Sequence, residues 1–217
     1  MNLGRLTQDA RTWRAPLALA AVLVLMQWFA GPVSEGVRYD RQAILAGEPW
    51  RLVTAHLIHS DFVHLGWNLA GLALVAWLFG REFRARDWGL ILLGSTVAVD
   101  LGFLLLETQL DWYVGFSGVL HGLMAAGLCA WLWRSPDSMT ALVATVFAAK
   151  LTWEHFAGPL PFTSGSLDLP VVHQSHSYGA VGGLVAAILL LWRGAAPAGR
   201  YNQASGRADG PGEDIPR

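Results

Sequence analysis

The sequence predicts an all-α protein, a bundle of six transmembrane helices. Three observations predict it. First, of 217 residues 53% are hydrophobic and only 14% charged, whereas about a quarter of an ordinary soluble domain is charged. Second, apolar segments recur at roughly 15–33, 63–80, 88–106, 112–133, 138–157 and 175–193, with lengths near the ~20 residues that cross hydrocarbon. Third, the arginines are unevenly shared. With both termini cytoplasmic, eleven lie inside (Arg5, Arg11, Arg14, Arg81, Arg84, Arg86, Arg134, Arg193, Arg200, Arg207, Arg217) and three outside (Arg38, Arg41, Arg51), as the positive-inside rule requires.

Taken in order, residues 1–14 form a basic cytoplasmic segment, and 15–193 the membrane domain. Arginines ahead of the first apolar run also suit a signal sequence. No clear small-residue cleavage site follows, so it reads as a first membrane helix. The stretch from about Ser34 to Phe62 is the one long loop, and Trp50-Arg51 with its apolar residues predicts packing at the membrane interface. The second, third and fourth segments are strongly apolar, the fourth being free of charge from Trp112 to Trp133. The fifth carries Lys150 and Glu154 and the sixth is short, so these two depart furthest from a plain span. The tail 194–217, rich in Gly, Ala, Pro and charge, is expected to be cytoplasmic and disordered. Eleven tryptophans suit an interfacial belt. The single cysteine, Cys129, allows no intramolecular disulfide, and a net charge of −1 gives no support for nucleic-acid binding.

The chemistry concentrates in Tyr113-Val-Gly-Phe-Ser-Gly-Val-Leu-His-Gly122, inside the uncharged fourth segment. Polar groups at membrane depth are costly and mark functional sites. In the stated topology the second, fourth and sixth segments run from outside to inside. His64 and Asn68, Ser117, and His176 then fall within about two turns of the outer end of each, at similar depth for a ~1.5 Å rise per residue. Gly118, Gly122 and Ala126 form one small-residue row and Gly179 and Gly183 another, the pattern that lets membrane helices approach backbone to backbone. Any one row alone reads first as plain packing.

Gly115-Phe-Ser117-Gly118, His64-Leu-Gly-Trp-Asn68 and His176-Ser-Tyr-Gly179, with Trp50-Arg51 ahead of them, resemble the signatures of rhomboid intramembrane serine proteases over roughly residues 45–190. The compact form and the Gly-Phe-Ser-Gly-Val-Leu-His-Gly string look most like the rhombosortase branch, associated with bacterial proteins bearing a C-terminal Gly-Gly, membrane helix and basic tail. The resemblance implies a rhomboid-like fold in a bacterial inner membrane with its active site towards the periplasm. It implies Ser117 as nucleophile and His176 as general base, without cofactor or metal. His64, Asn68 and the Ser117 N–H would stabilise the oxyanion, supported by Gly115, Gly118, His121 and Gly179. The substrate would be a membrane-anchored protein with a C-terminal transmembrane segment. A Gly-Gly boundary suits this physics, because a helix in hydrocarbon keeps its own backbone bonds and glycine weakens it.

Family members use a serine–histidine dyad, and no acid is placed here as a third member. Asp100 lies about two-thirds along the third segment, at a depth compatible with a supporting role. Lys150 and Glu154, four residues apart, are expected to pair with each other or to snorkel. Where rhomboids commonly carry a tyrosine four residues after the serine, this chain has His121. Its imidazole could stack on His176 or compete as the base; His176 is favoured because His121 sits a turn deeper, farther from water. His56 and His59 read as loop side chains. Two other functions are compatible with the residues: a non-catalytic membrane-binding protein of the same fold, and a haem or metal protein using His56, His59, His64, His121, His173 and His176.

Overall fold

The computed structural model describes residues 10–31, 34–159 and 172–194. The first nine residues, and the expected tail beyond Gly194, lie outside that set. Each of the six apolar segments coincides with a long helix: α1 Ala10–Ala30, α4 Phe62–Phe79, α5 Ala85–Leu105, α6 Ser117–Arg134, α7 Ser138–Ala157 and α8 Gln174–Trp192. By length and composition α1, α4, α5 and α8 are apolar enough to cross a membrane. The remaining two carry Ser117 and His121 (α6) and Lys150 and Glu154 (α7). Two starts follow local rules: the Asp61 carboxylate accepts from His64 N at 2.7 Å and Asp137 from Thr140 N at 2.9 Å, each satisfying an N–H orphaned at a helix start.

Helix α6 is the axis. It pairs most extensively with α8; α5 covers both, α4 packs on another side of α6, and α1 lies against α4. Its buried residues are small or apolar, Gly118, Val119, Gly122, Ala126 and Ala130 among them. Side chains such as Leu25, Trp67, Leu93, Leu142 and Val185 face outward. A surface this apolar suits lipid rather than water. Helix α7 is set apart: only Thr140 and Glu154 of its residues are buried. An apolar groove of about 920 Å³ runs between α6, α7 and α8, bordered by Leu128, Phe147, Leu151 and Leu184.

The loop before α4 is structured. It contains β1 Tyr39–Asp40, the short helices α2 Arg41–Leu45 and α3 Arg51–Thr54, and a 3₁₀ turn Ala55–Leu57. Strand β1 pairs antiparallel with β2 Trp112–Tyr113, Tyr39 opposite Tyr113, so the loop is stitched to the residues that enter α6. Arg41 donates to the carbonyls of Phe103 (3.1 Å) and Leu104 (3.0 Å), satisfying acceptors left open at the end of α5. Arg51 bridges Glu48 and donates to the Arg38 carbonyl at 3.0 Å, while Trp50 Nε1 donates to the Gly36 carbonyl. Trp50-Arg51 thus folds the loop on itself. From α1, buried Gln27 clamps the chain ahead of α4: its Nε2 donates to His59 O and its Oε1 accepts from His59 N.

Candidate active site

Ser117 is the first residue of α6 and His176 the third of α8. Their helices meet backbone to backbone at two glycines of α8. A Cβ on Gly179 would collide with the Gly118 carbonyl, and one on Gly183 with the Gly122 carbonyl. The two glycine rows therefore face each other, which lets the backbones touch. At the end of this seam where both helices start, His176 Nε2 lies 3.0 Å from Ser117 Oγ.

The turn into Ser117 is shaped by Gly115, whose φ of 129° is left-handed and so favours glycine. A Cβ there would also stand 2.9 Å from His64 Cε1 and 3.2 Å from His64 Nε2, so its absence admits the His64 ring beside the serine. Tyr113, buried and pushed up to about 12 chiefly by that burial, keeps its proton and donates to the Gly115 carbonyl at 2.7 Å. The turn is also tied by Gly115 N donating to the Ala55 carbonyl at 2.9 Å. Because Ser117 opens a helix, its N–H has no intrahelical acceptor and stands at the positive end of the helix dipole.

On α4, Asn68 Nδ2 donates to the His64 carbonyl at 2.9 Å, and buried Oδ1 of Asn68 has no partner among the described residues. His64 Nδ1 is 3.1 Å from Ser60 Oγ, which is also 2.9 Å from Asp61 Oδ2. The Ser60 hydroxyl donates to Asp61, so in the 3.1 Å contact it is His64 Nδ1 that donates to Ser60 Oγ, and the neutral ring carries its hydrogen on Nδ1. Burial raises the Asp61 carboxyl, but bonds from the His64 N–H, the Ser60 hydroxyl and the Val63 N–H outweigh it and hold the group below the usual carboxylate range.

Beneath the pair lies a feature the sequence reading missed. His176 Nδ1 is 2.9 Å from Glu154 Oε2, and the same oxygen is 2.6 Å from Lys150 Nζ. Lys150 Nζ also reaches His121 Nε2, while His121 Nδ1 donates to the Ser117 carbonyl at 2.7 Å. Expecting Lys150 and Glu154 to pair captured half of this; the other half is Glu154 turning inward to His176. The available signal was depth. Glu154 lies three residues before the C-terminal end of α7, so residue counting alone puts it near the level of Ser117 and His176 at the starts of α6 and α8.

The other polar candidates go elsewhere. Asp100 is 3.2 Å from His56 Nε2, so this acid serves a different histidine. His59 is buried against the His64 ring, centroids 5.0 Å apart. The rings of His121 and His176 stack at 4.0 Å and 17°. Parallel rings do not aim their nitrogens at one haem iron. His121, Glu154 and His176 offer ligand atoms within 4.8 Å of one another, but the Lys150 ammonium already contacts two of the three residues.

The rhomboid domain model matches residues 46–193. The chain belongs to the rhomboid family. Family members are generally intramembrane serine proteases, and this rhomboid is an integral membrane protein. It is 28% identical over 183 residues to the protein named "Putative rhomboid protease YdcA" of Bacillus subtilis, covering 80% of this chain and 85% of that one. It is 31% identical over 90 residues to RHOMBOID-like protein 5 of Arabidopsis thaliana, covering 41% of this rhomboid and 29% of the plant protein.

Proposed function

We propose that this rhomboid is a serine endopeptidase that cuts membrane-anchored proteins at the outer edge of their transmembrane segment, with Ser117 as nucleophile and His176 as base. The observation that carries the reading is the 3.0 Å approach of Ser117 Oγ to His176 Nε2, at the hydrogen-bond distance proton transfer needs. All six long helices span the bacterial inner membrane, both termini are cytoplasmic, and the site opens towards the periplasm. The arginine distribution supports that orientation.

Ser117 Oγ attacks the scissile carbonyl carbon as its proton passes to His176 Nε2. The carbonyl oxygen becomes an oxyanion facing the Ser117 N–H and Asn68 Nδ2, joined by His64 Nε2 when that nitrogen carries a hydrogen. Each such donor is worth ~10²–10³ in rate where measured. Collapse of the intermediate breaks the C–N bond, and the proton on Nε2 leaves with the amine. Water then attacks the Ser117 ester, giving its proton to Nε2. The acyl C–O bond breaks, the acid departs, and the serine recovers its hydrogen.

The proposed substrate class is a C-terminal membrane anchor preceded by Gly-Gly, as in the rhombosortase branch. The Gly-Phe-Ser-Gly-Val-Leu-His-Gly string supports that choice. Cleavage of such a tagged protein by the purified chain in lipid vesicles, compared with Ser117→Ala, tests the reading. Wild type should release the ectodomain and take up a fluorophosphonate on Ser117; the alanine variant should do neither. Equal cleavage by both would leave Ser117 without its role, and a binder without catalysis would give no cleavage and no label.

A further inference from the structure

The dyad expected from the family leaves Glu154 and Lys150 unexplained. Glu154 is 3% exposed and lies on the helix least engaged with the bundle. Burying a carboxylate is costly unless it is paired and hydrogen-bonded. Here it has both kinds of partner: the Lys150 ammonium at 2.6 Å and His176 Nδ1 at 2.9 Å. An ionised carboxylate only accepts, so the shared hydrogen belongs to His176 Nδ1. That leaves the Nε2 lone pair facing Ser117 Oγ, the tautomer a base must hold.

The geometry points to Glu154 as a positioning residue that completes a Ser117–His176–Glu154 triad, with Lys150 as its fixed internal counter-ion. Glu154 takes no proton itself. It sets the tautomer and ring orientation of His176 and lies beside the positive charge when Nε2 is protonated. Lys150 keeps the carboxylate ionised and in place. By donating to His121 Nε2, it also agrees with the His121 tautomer whose Nδ1–H bonds the Ser117 carbonyl. The ring stacked under His176 is thus pinned by the same ammonium.

This rests on the protease reading, and the experiment separates the two. Glu154→Gln keeps the volume, but its amide donates to Nδ1 and drives the hydrogen onto Nε2. The expected result is a fall in kcat of about 10²–10⁴-fold, the scale seen when a triad carboxylate becomes an amide, with KM within about threefold. Glu154→Asp, which keeps the charge, should recover a clear part of that loss. Rates are taken per folded molecule. If Glu154→Gln does not fold because it strands the ammonium, the Lys150→Met/Glu154→Gln double variant removes both charges and should show the same low kcat. Wild-type kcat in either folded variant, with cleavage still abolished by Ser117→Ala, overturns the triad and leaves the protease. An equal loss in Glu154→Asp and Glu154→Gln, expressed only as reduced folded yield, makes Glu154 a structural ion-pair partner and overturns it too. Absence of any Ser117-dependent cleavage by wild type removes both readings.

Discussion

The imidazole of His121 lies face to face with that of His176, ring centroids 4.0 Å apart and planes at 17°. Phe147 of α7 also lies nearly parallel to the His121 ring, centroids 5.9 Å apart. The position where rhomboids commonly carry tyrosine therefore holds an aromatic platform here as well. Its two nitrogens face the Ser117 carbonyl and Lys150, whereas the hydroxyl of Ser117 contacts His176.

That geometry separates the two histidines by experiment. Losing a base removes ~10²–10⁴ in rate, so His176→Ala should reduce cleavage to near background. His121→Ala removes the stacked ring and its bonds to the Ser117 carbonyl and Lys150 but not the group facing Ser117 Oγ, and should cost about tenfold to a hundredfold, the scale of a slightly misplaced group. Initial rates on one anchored substrate decide it. The reverse order would move the base to His121.

The contact between Gly179 and the Gly118 carbonyl admits no Cβ. Gly179→Ala must push α8 away from α6, against backbone that cannot swing aside. Overpacking of this kind costs about 1–3 kcal/mol or more, and it should also open the Ser117–His176 approach. Gly66 of α4 has open space where a Cβ would stand, with nothing within 4 Å. Gly66→Ala is therefore the matched control and should be neutral or slightly stabilising through helix propensity. Thermal unfolding of both in the same detergent checks this; equal melting temperatures would contradict it.

Buried Gln27 satisfies both backbone groups of His59, Nε2 to the carbonyl at 3.2 Å and Oε1 from the N–H at 2.7 Å. Gln27→Leu leaves both without partners, at about 1–3 kcal/mol for each group left unsatisfied. The loss should appear as a lower unfolding temperature and as faster proteolysis between Leu57, which ends the 3₁₀ turn, and Phe62, where α4 begins. Unchanged proteolysis there would show that the clamp is not what holds this stretch.

His59 precedes α4, fully buried, and neither ring nitrogen has a partner among the described residues. Burial, with His64 alongside, lowers it from 6.5 to about 3 against a small opposing pull from Asp61. The folded value lies below the unfolded one, so the unfolded chain takes up a proton first as pH falls. Stability due to the neutral ring is complete above about 6.5 and is lost progressively towards 3. Unfolding temperature should therefore decline between pH 7 and 5, and the decline should be shallower in His59→Phe. Parallel pH slopes in the two proteins would refute the assignment to His59.

What the sequence alone determined was position along each helix. Residue counting locates the six helical segments, and a fixed rise per residue puts Ser117, His64 and His176 near helix starts. The glycine rows announce which helices can touch. Direction around each helix was not readable. In lipid a helix is apolar on every side, so the polar stripe that marks the outward face of a soluble helix is missing. Nothing in the spacing of Lys150 and Glu154 says whether they turn to lipid headgroups or to His176, nor that Asp100 turns to His56. The β1–β2 pairing that stitches the loop to the entry of α6 was equally hidden, being two residues long and joining Tyr39 to the distant Tyr113. Only the packing of α7 beside α6 and α8 brings Glu154 to His176, because a buried carboxylate must find its partners in space and not along the chain.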